Sequence, residues 1–426
     1  MSRFQIAAIA LCFVVLLLDG FDALVMSFTG PTISDEWGLS STSLGILFSS
    51  SLVGMAVGAV SLSALADRVG RRPVIVLSLV IVTAGMLASA FAGSLQQLAL
   101  LRFLTGTGIG AALASVNIIV AEYSSKKWRG LAIGVVQTAY PLGATLGGAL
   151  AVLLIERSGW EAVFLVGAAG SAVMIPVIML YLPESLDFLV SRRTPDALQK
   201  INRQLARMGQ SELDDYPPVS ASPEKTGVGG LLTPAFLRST VLLWLAFFMV
   251  MFCLYFTLNW TPKLLIESGL STSEGISGGI VLHIGGIIGQ LILGFAAGHF
   301  DLRRLLMIYY GTAVLAMIGF AFVLGELQLA LVVAWLNGFF VLGAITGSYT
   351  VTHGVYPTKI RTTGLGWAIG IGRIGAIASP LIAGLMLDRG ADVATLYLLF
   401  STSMLFGMLA IMLLPRKESG RVGTTP

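Results

Sequence analysis

Charge is scarce in this chain. Only 11% of its 426 residues are Asp, Glu, Lys or Arg, while 56% are hydrophobic; a soluble domain carries about 25% charged residues. That balance excludes an ordinary water-soluble enzyme and describes a polytopic membrane protein. Cysteine is scarcer still. Cys12 and Cys253 both fall in hydrophobic runs, so there is no disulfide framework and no metal-ligand spacing. No His/Cys cluster for a metal, no nucleophile motif and no fused soluble domain is present, which weighs against a membrane-embedded enzyme or a sensor. The absence of a G-x-x-x-x-G-K-[ST] loop argues against direct drive by ATP. The first apolar run carries two aspartates and lacks a small-x-small cleavage site, so it reads as a span and not as a signal peptide.

What is abundant is length of apolar run and glycine. Twelve spans of about 20 residues can be marked, as a bilayer requires. Their cores cover 5–28, 43–64, 74–93, 97–119, 129–154 and 161–182, then 239–260, 276–298, 304–324, 328–350, 363–387 and 395–414. The expected fold is all-α and polytopic, with twelve transmembrane helices in two six-helix bundles around a central cavity. The expected divisions are an N-terminal bundle at 1–183, a cytoplasmic central loop at 184–237, a C-terminal bundle at 238–415 and a cytoplasmic tail at 416–426. Within the loop, Pro195 and the stretch Asp196–Ile201 predict a short surface helix, and Tyr216-Pro217-Pro218-Val219-Ser220 reads as linker. The segment is too short and polar for a core of its own. Gly, at 50 residues, suits helices that pack through small side chains. With both termini in the cytoplasm, inner segments hold 21 of the 26 basic residues and outer loops hold Arg157, Lys263 and Arg389. This satisfies the positive-inside rule, and the net charge of +4 therefore implies no nucleic-acid partner.

Ionisable residues inside spans mark function, because each costs about 2.5–3.5 kcal/mol even on insertion scales. Asp19 and Asp22 are three apart in span one and share a helix face; the alternative is that one of them caps or kinks the helix end beside Gly20. Arg102 lies about 7 Å inside the outer boundary of span four, and the aspartates about 21–26 Å from the inner one, so the three reach a similar level. An Asp–Arg pair in low dielectric is expected; the alternative for Arg102 is bonding to backbone carbonyls. Burial and a like charge raise a carboxylate pKa whereas an Arg lowers it. The aspartates would titrate jointly. Arg373 is about 18 Å into span eleven, and no acid occurs in any C-terminal span core. A planar guanidinium there suits bidentate capture of a carboxylate.

Between spans two and three runs Ser63-Ala64-Leu65-Ala66-Asp67-Arg68-Val69-Gly70-Arg71-Arg72. The order Asp-Arg-x-Gly-Arg-Arg after a helix predicts a cytoplasmic latch. In it, Asp67 sits near a helix N-terminus and Arg68, Arg71 and Arg72 bridge to acids, with Glu122 as one candidate. This loop resembles that of the major facilitator superfamily, with Ser63 where that family has Gly. The resemblance implies alternating access between two bundles. The second copy, from Gly294 to Arg304, has Gly298 in the Asp position and is degraded.

The span-one aspartates, Pro183-Glu184-Ser185, Asn259-Trp260-Thr261-Pro262 and the run from Tyr356 to Gly375 resemble the aromatic acid:proton symporter family. That resemblance implies a bacterial inner-membrane importer of a benzoate-type acid such as hydroxybenzoate, gentisate or protocatechuate. Asp19 and Asp22 would serve coupling and translocation, Asp67 the latch, and Arg361 and Arg373 the gate and anion site. Arg102, in a run from Leu101 to Gly110 that resembles the superfamily's Arg-bearing fourth-span motif, would join the aspartates in proton coupling. Residue chemistry adds His283 and Gln290 as readers of a ring hydroxyl, with helix packing the alternative for His283, and Tyr255, Trp260, Trp335 and Trp367 as stacking surfaces or interface anchors. Asn117, Gln137, Asn259 and Asn337 read as packing residues, and His299 and His353 as solvated. The proton is the coupling ion, no other cofactor or metal is expected, and the partners are the bilayer and the acid, with the chain acting as a monomer. An aliphatic or sugar acid is the main rival substrate. A drug/proton antiporter is disfavoured by Tyr140 before Pro141, where that group has Gly, and by the cation at Arg373.

Overall fold

The structure is a computed structural model. It describes residues 1–125, 127–192, 196–216, 228–323 and 326–415, and of residues 353, 358, 359 and 362 the backbone alone. Pro195, the linker after Tyr216, the tail and the His353 side chain lie outside the described residues. The chain folds as α1 Arg3–Trp37, α2 Ser41–Val69, α3 Arg71–Ser89, α4 Leu95–Tyr123, α5 Arg129–Ser158 and α6 Glu161–Tyr181. Short α7 Leu186–Arg192 and α8 Ala197–Met208 follow. Then come α9 Leu237–Glu267, α10 Thr272–Ala296, α11 Leu302–Phe320, α12 Leu327–Val355, α13 Thr358–Asp388 and α14 Val393–Leu413. Twelve of these are long and apolar enough to cross a membrane, matching the twelve expected spans. The predicted surface helix is α8, whereas α7 was not anticipated.

Several helices run past their apolar cores, and α1 is the instructive case. It continues through Pro31 to Trp37, where Gly38 takes a left-handed φ of 61° and ends it. Asp19 and Asp22 therefore sit near the middle of an unbroken helix. Gly20 does not kink it. Its role is close approach, because a Cβ there would overlap the Tyr140 carbonyl oxygen of α5, and one on Gly143 would overlap that of Leu17. The same small-residue contact joins α2 to α4 through Gly54, Gly58, Gly106 and Gly110, and α10 to α12 through Gly285, Gly289 and Gly338. Close backbone contact replaces a hydrophobic drive that lipid does not supply.

The first six long helices pack as one bundle and the last six as another. We refer to the end of the molecule where α1 begins as the near end. The bonds that join the halves lie toward the far end. Asp388, closing α13, accepts from the backbone N–H groups of Ser41 and Thr42, both at 2.9 Å, and so caps the N-terminus of α2 from the opposite bundle. Beside it, Lys263 reaches Asp35 at 3.0 Å. Deeper in, the Ser27 hydroxyl donates to the Leu258 carbonyl at 2.7 Å and that of Ser49 to the Ile377 carbonyl at 2.8 Å. Trp260, fully buried, meets Phe48 edge-on and donates to the Pro380 carbonyl. It is a wedge of this seal, not a ligand-stacking surface.

Two outcomes test this arrangement. Gly20→Ala should lower stability by about 1–3 kcal/mol, because the added methyl meets backbone that has no room to yield. Gly294→Ala, where nothing lies within 4 Å, should be neutral; thermal unfolding in detergent compares them. Asp388→Ala removes a helix cap, at a cost of about 1 kcal/mol, and should raise the population open at the far end roughly fivefold. The readout is maleimide labelling of a cysteine at Thr272, in the cleft that Thr32, Glu156 and Ile276 also line.

Candidate functional site

Asp19 and Asp22 are 1% and 2% exposed, and Arg102 is fully buried. The Arg102 guanidinium donates through Nη1 to Asp22 Oδ1 at 2.6 Å. Its Nη2 points to Ser89 Oγ at 3.4 Å and Met86 Sδ at 3.3 Å, and the Phe164 ring lies 5.1 Å from the guanidinium carbon. The expected pair thus forms, and it selects one carboxylate. Backbone bonding is secondary, at 3.5 Å to the Asp22 carbonyl. Asp19 has no such cation; its Oδ2, like that of Asp22, is buried without a hydrogen-bond partner among the described residues.

Across the bundle interface, Arg373 is the complementary case: its Nη1 is buried and unpartnered. Depths along the helices agree, since Asp19 lies about 24 Å from the near end of α1 and Arg373 about 22 Å from that of α13. Two tyrosines that no sequence pattern singles out lie in this region, of which the first is near both sides. Tyr140, on α5, is within reach of the charges of Asp19, Asp22 and Arg373 and of the Tyr255 phenol. Tyr349, on α12, is within reach of Arg373 and Tyr255. Tyr140 was noted only as a departure from a Gly-Pro pair. The available signal was a phenol held one turn from Gly143, on a helix that must pack against α1.

Other candidates divide. Tyr255 is buried in this group, and Asn259 donates to its carbonyl. His283 is 2% exposed, with Nδ1 unpartnered and its ring edge-on to Phe28 of α1 at 6.5 Å. Gln290, seven residues on, shares that helix face and is half-buried. Trp367 is a correction. It is 45% exposed and packs on Trp244, and six helical positions put it about 120° around the axis from Arg373, so it cannot share that face. Trp335 packs on Phe339. Asn117 donates to the carbonyl of Leu113 on its own helix, and Asn337 reaches that of Ala316. Gln137 is exposed, and so is His299, which turns back to the Phe295 carbonyl.

At the near end the loop motif is ordered but rearranged from expectation. Gly70 takes φ 109° and allows the abrupt turn from α2 to α3. Asp67 bonds Arg71 at 2.7 Å, one turn along. The acid at the N-terminus of α3 is instead Glu184, whose Oε1 accepts from the N–H groups of Arg71 at 2.8 Å, Arg72 at 3.2 Å and Ser185 at 2.8 Å. A second correction concerns Glu122. It does not hold the loop arginines but receives the Ser185 hydroxyl at 2.8 Å and the Leu186 N–H at 2.7 Å, capping α7. The physical reason is reach: each acid meets unsatisfied N–H groups at a helix start before it meets a guanidinium. Arg68 offers its carbonyl to Arg192, and Arg361 turns to the Tyr356 carbonyl at 3.4 Å. None of the described residues forms a cluster fit for a metal.

The model of the Major Facilitator Superfamily matches residues 11–335. The chain is 33% identical over 416 residues to the gallate transporter of Pseudomonas putida, covering 96% of this chain and 92% of that one. It is 31% identical over 393 residues to the 4-hydroxybenzoate transporter PcaK of the same organism, covering 92% and 88%. Among solved structures, the partially occluded inward open conformation of the xylose transporter XylE from E. coli superposes with a TM-score of 0.77. Its identity is 14%, over 98% of this chain and 99% of that one.

Arg102→Ala should strip the buried Asp22 of its partner and destabilise the protein by about 3–5 kcal/mol. Asp22→Asn combined with Arg102→Met should recover part of that loss, since neither charge then remains buried. Unfolding followed by size exclusion ranks the two; equal instability would contradict an ion-pair origin.

Proposed function

Given that this chain belongs to the Major Facilitator Superfamily, we propose that it imports an aromatic carboxylate together with protons, by alternating access. The observation that carries this reading is the pair of unmet groups at mid-depth: a buried Arg373 Nη1 without an anion and a buried Asp19 Oδ2 without a donor. A carboxylate ligand answers the first, and a proton answers the second. The phenols around Arg373 give a flat ring polar edges. The relatives named for gallate and 4-hydroxybenzoate support the ring over an aliphatic or sugar acid.

In this reading Asp19 is the proton carrier and Asp22 is held ionised by Arg102. His283 and Gln290 face the ring substituents. The near end is cytoplasmic, which follows from its share of Lys and Arg, and the membrane is the bacterial inner membrane. The far-end seal then closes the outside, with the site facing the cell interior. Residues 1–183 and 238–415 act as the two moving bodies, and Asp67 with Arg68, Arg71, Arg72 and Arg361 forms the latch that must engage when the near end closes. Asp67 is 71% exposed at its side chain, available for that engagement. One proton per monoanion makes the step electroneutral, so a pH gradient alone can drive it. The chain works as a monomer.

The test is uptake of radiolabelled 4-hydroxybenzoate, protocatechuate, gallate, gentisate and benzoate by cells expressing the protein. Uptake should rise as external pH falls and collapse with a protonophore. Asp19→Asn should abolish accumulation. Arg373→Ala should lower apparent affinity at least tenfold, the loss of a charge-assisted bond of about 1.5–3 kcal/mol. Failure to take up any aromatic acid, from protein present in the membrane, overturns the substrate class.

A further inference from the structure

The two unmet groups lie on different helices of different bundles, and coupling requires something that senses both. Tyr140 is placed to do so. Its backbone is pinned on α1, because its carbonyl fills the notch left by Gly20, next to Asp19. Pro141 follows inside the helix; lacking an N–H, it leaves the Gln137 carbonyl without its usual helical donor, a site where a helix can flex. The Tyr140 side chain lies near Asp19 and Asp22 on one side and Arg373 and Tyr255 on the other.

The groups that face Tyr140 are few. From α1 come Asp19 and Asp22, from α9 Tyr255 and from α13 Arg373. The neighbouring α4 supplies Arg102, already engaged by Asp22. From α10 comes His283, directed at Phe28. The titratable residues of α6, Glu161 and Tyr181, are at its ends. Unmet buried atoms also occur on Asp22, Arg102 and His283, but Asp22 and Arg102 already hold each other, so Asp19 is the carboxylate without a cation and Arg373 the cation without a carboxylate on either side of the phenol.

A phenol has one proton to donate. If Asp19 is ionised, its carboxylate is the strongest acceptor nearby and claims that proton. If Asp19 is protonated, it becomes a donor. The phenol oxygen can then accept from Asp19 while its own O–H turns to an anion at Arg373. The two arrangements exclude each other. Resting on the function proposed above, we infer that the Tyr140 hydroxyl is the positioning group that links the charge state of Asp19 to anion binding at Arg373. The phenol transmits which carboxylate, the protein's or the ligand's, is to be hydrogen-bonded, and it need not touch the ring.

Equilibrium binding of radiolabelled 4-hydroxybenzoate to the full-length protein in lipid nanodiscs, at pH 6 and pH 8, tests this. The ligand's carboxyl is ionised at both values. The wild type should bind about tenfold more tightly at pH 6, the worth of one bond to a charged acceptor. In Tyr140→Phe the pH 6 affinity should fall and the pH ratio should shrink to within about twofold. Tyr255→Phe, a phenol facing Arg373 from the other bundle, should weaken binding and keep the ratio. Asp19→Asn should bind at pH 8 as the wild type does at pH 6, and lose that gain when combined with Tyr140→Phe. A wild-type ratio retained in Tyr140→Phe overturns the inference and leaves the transport reading intact. Absence of binding by the wild type at either pH overturns both. If Tyr140→Phe fails to fold, Asp19→Asn alone decides, since a pH ratio that persists in it overturns the inference.

Discussion

One guanidinium, buried where no water can screen it, sets the chemistry of the N-terminal bundle. Arg102 has Asp22 at 2.6 Å and no second carboxylate, although Asp19 stands one turn away on the same helix. Two like charges in low dielectric with one counter-charge do not remain equivalent. In the proposed cycle the pairing reserves Asp22 for Arg102 and leaves Asp19 to take the proton or a transient partner. In that reading the division of labour between two aspartates separated by a single turn is not a property of either residue. It is set by where α4 places its arginine, and that depends on the glycine contacts bringing α2 and α4 together.

The C-terminal bundle poses the opposite problem. It holds a cation at mid-depth with no acid in its span cores, and a permanent charge of that kind must be met by something. In the proposed cycle the ligand is that partner. The far end is closed by a helix cap, an exposed ion pair and aromatic wedging. Of these the cap by Asp388 is the most specific, because it satisfies two N–H groups that nothing else in α2 can reach. The Asp35–Lys263 pair, with Asp35 largely in solvent, contributes little by comparison. The seal is thus built from modest terms, as a device that must open in every turnover requires.

Much of this was legible in the residues. Apolar run length gave the twelve helices, and the cost of intramembrane charge singled out Asp19, Asp22, Arg102 and Arg373. Depth arithmetic alone put Arg102 level with the aspartates. What could not be read was rotation about the helix axes and the competition for donors at loop ends. Trp367 and Arg373 belong to one glycine-rich run, yet six positions separate their faces. Glu122 and Glu184 are both acids near a basic loop, but the first caps α7 and the second the start of α3, because α7 itself was not foreseen. Tyr140 was invisible as a functional residue for a similar reason: its importance comes from Gly20 on another helix, and no local pattern on α5 announces that contact.

The near end shows how a motif can be intact while its partners change. Asp67 and Arg71 bond within the loop, and Glu184 holds the first turn of α3 through backbone N–H groups. These bonds lie within one bundle and its attached α7, so they fix the loop's shape in whichever state the protein occupies. Bonds across the bundles can then form and break without remodelling it. A carboxylate anchored by N–H groups loses nothing when the opposite bundle moves, whereas in the proposed cycle Asp67 would exchange Arg71 for a partner across the interface, one exposed bond for another of similar worth. Near-equality of the two states is what a transporter needs. In the proposed cycle an occupied Arg373 and a neutral Asp19 then have only a small difference to overcome, within the range that one hydrogen bond and one proton can supply.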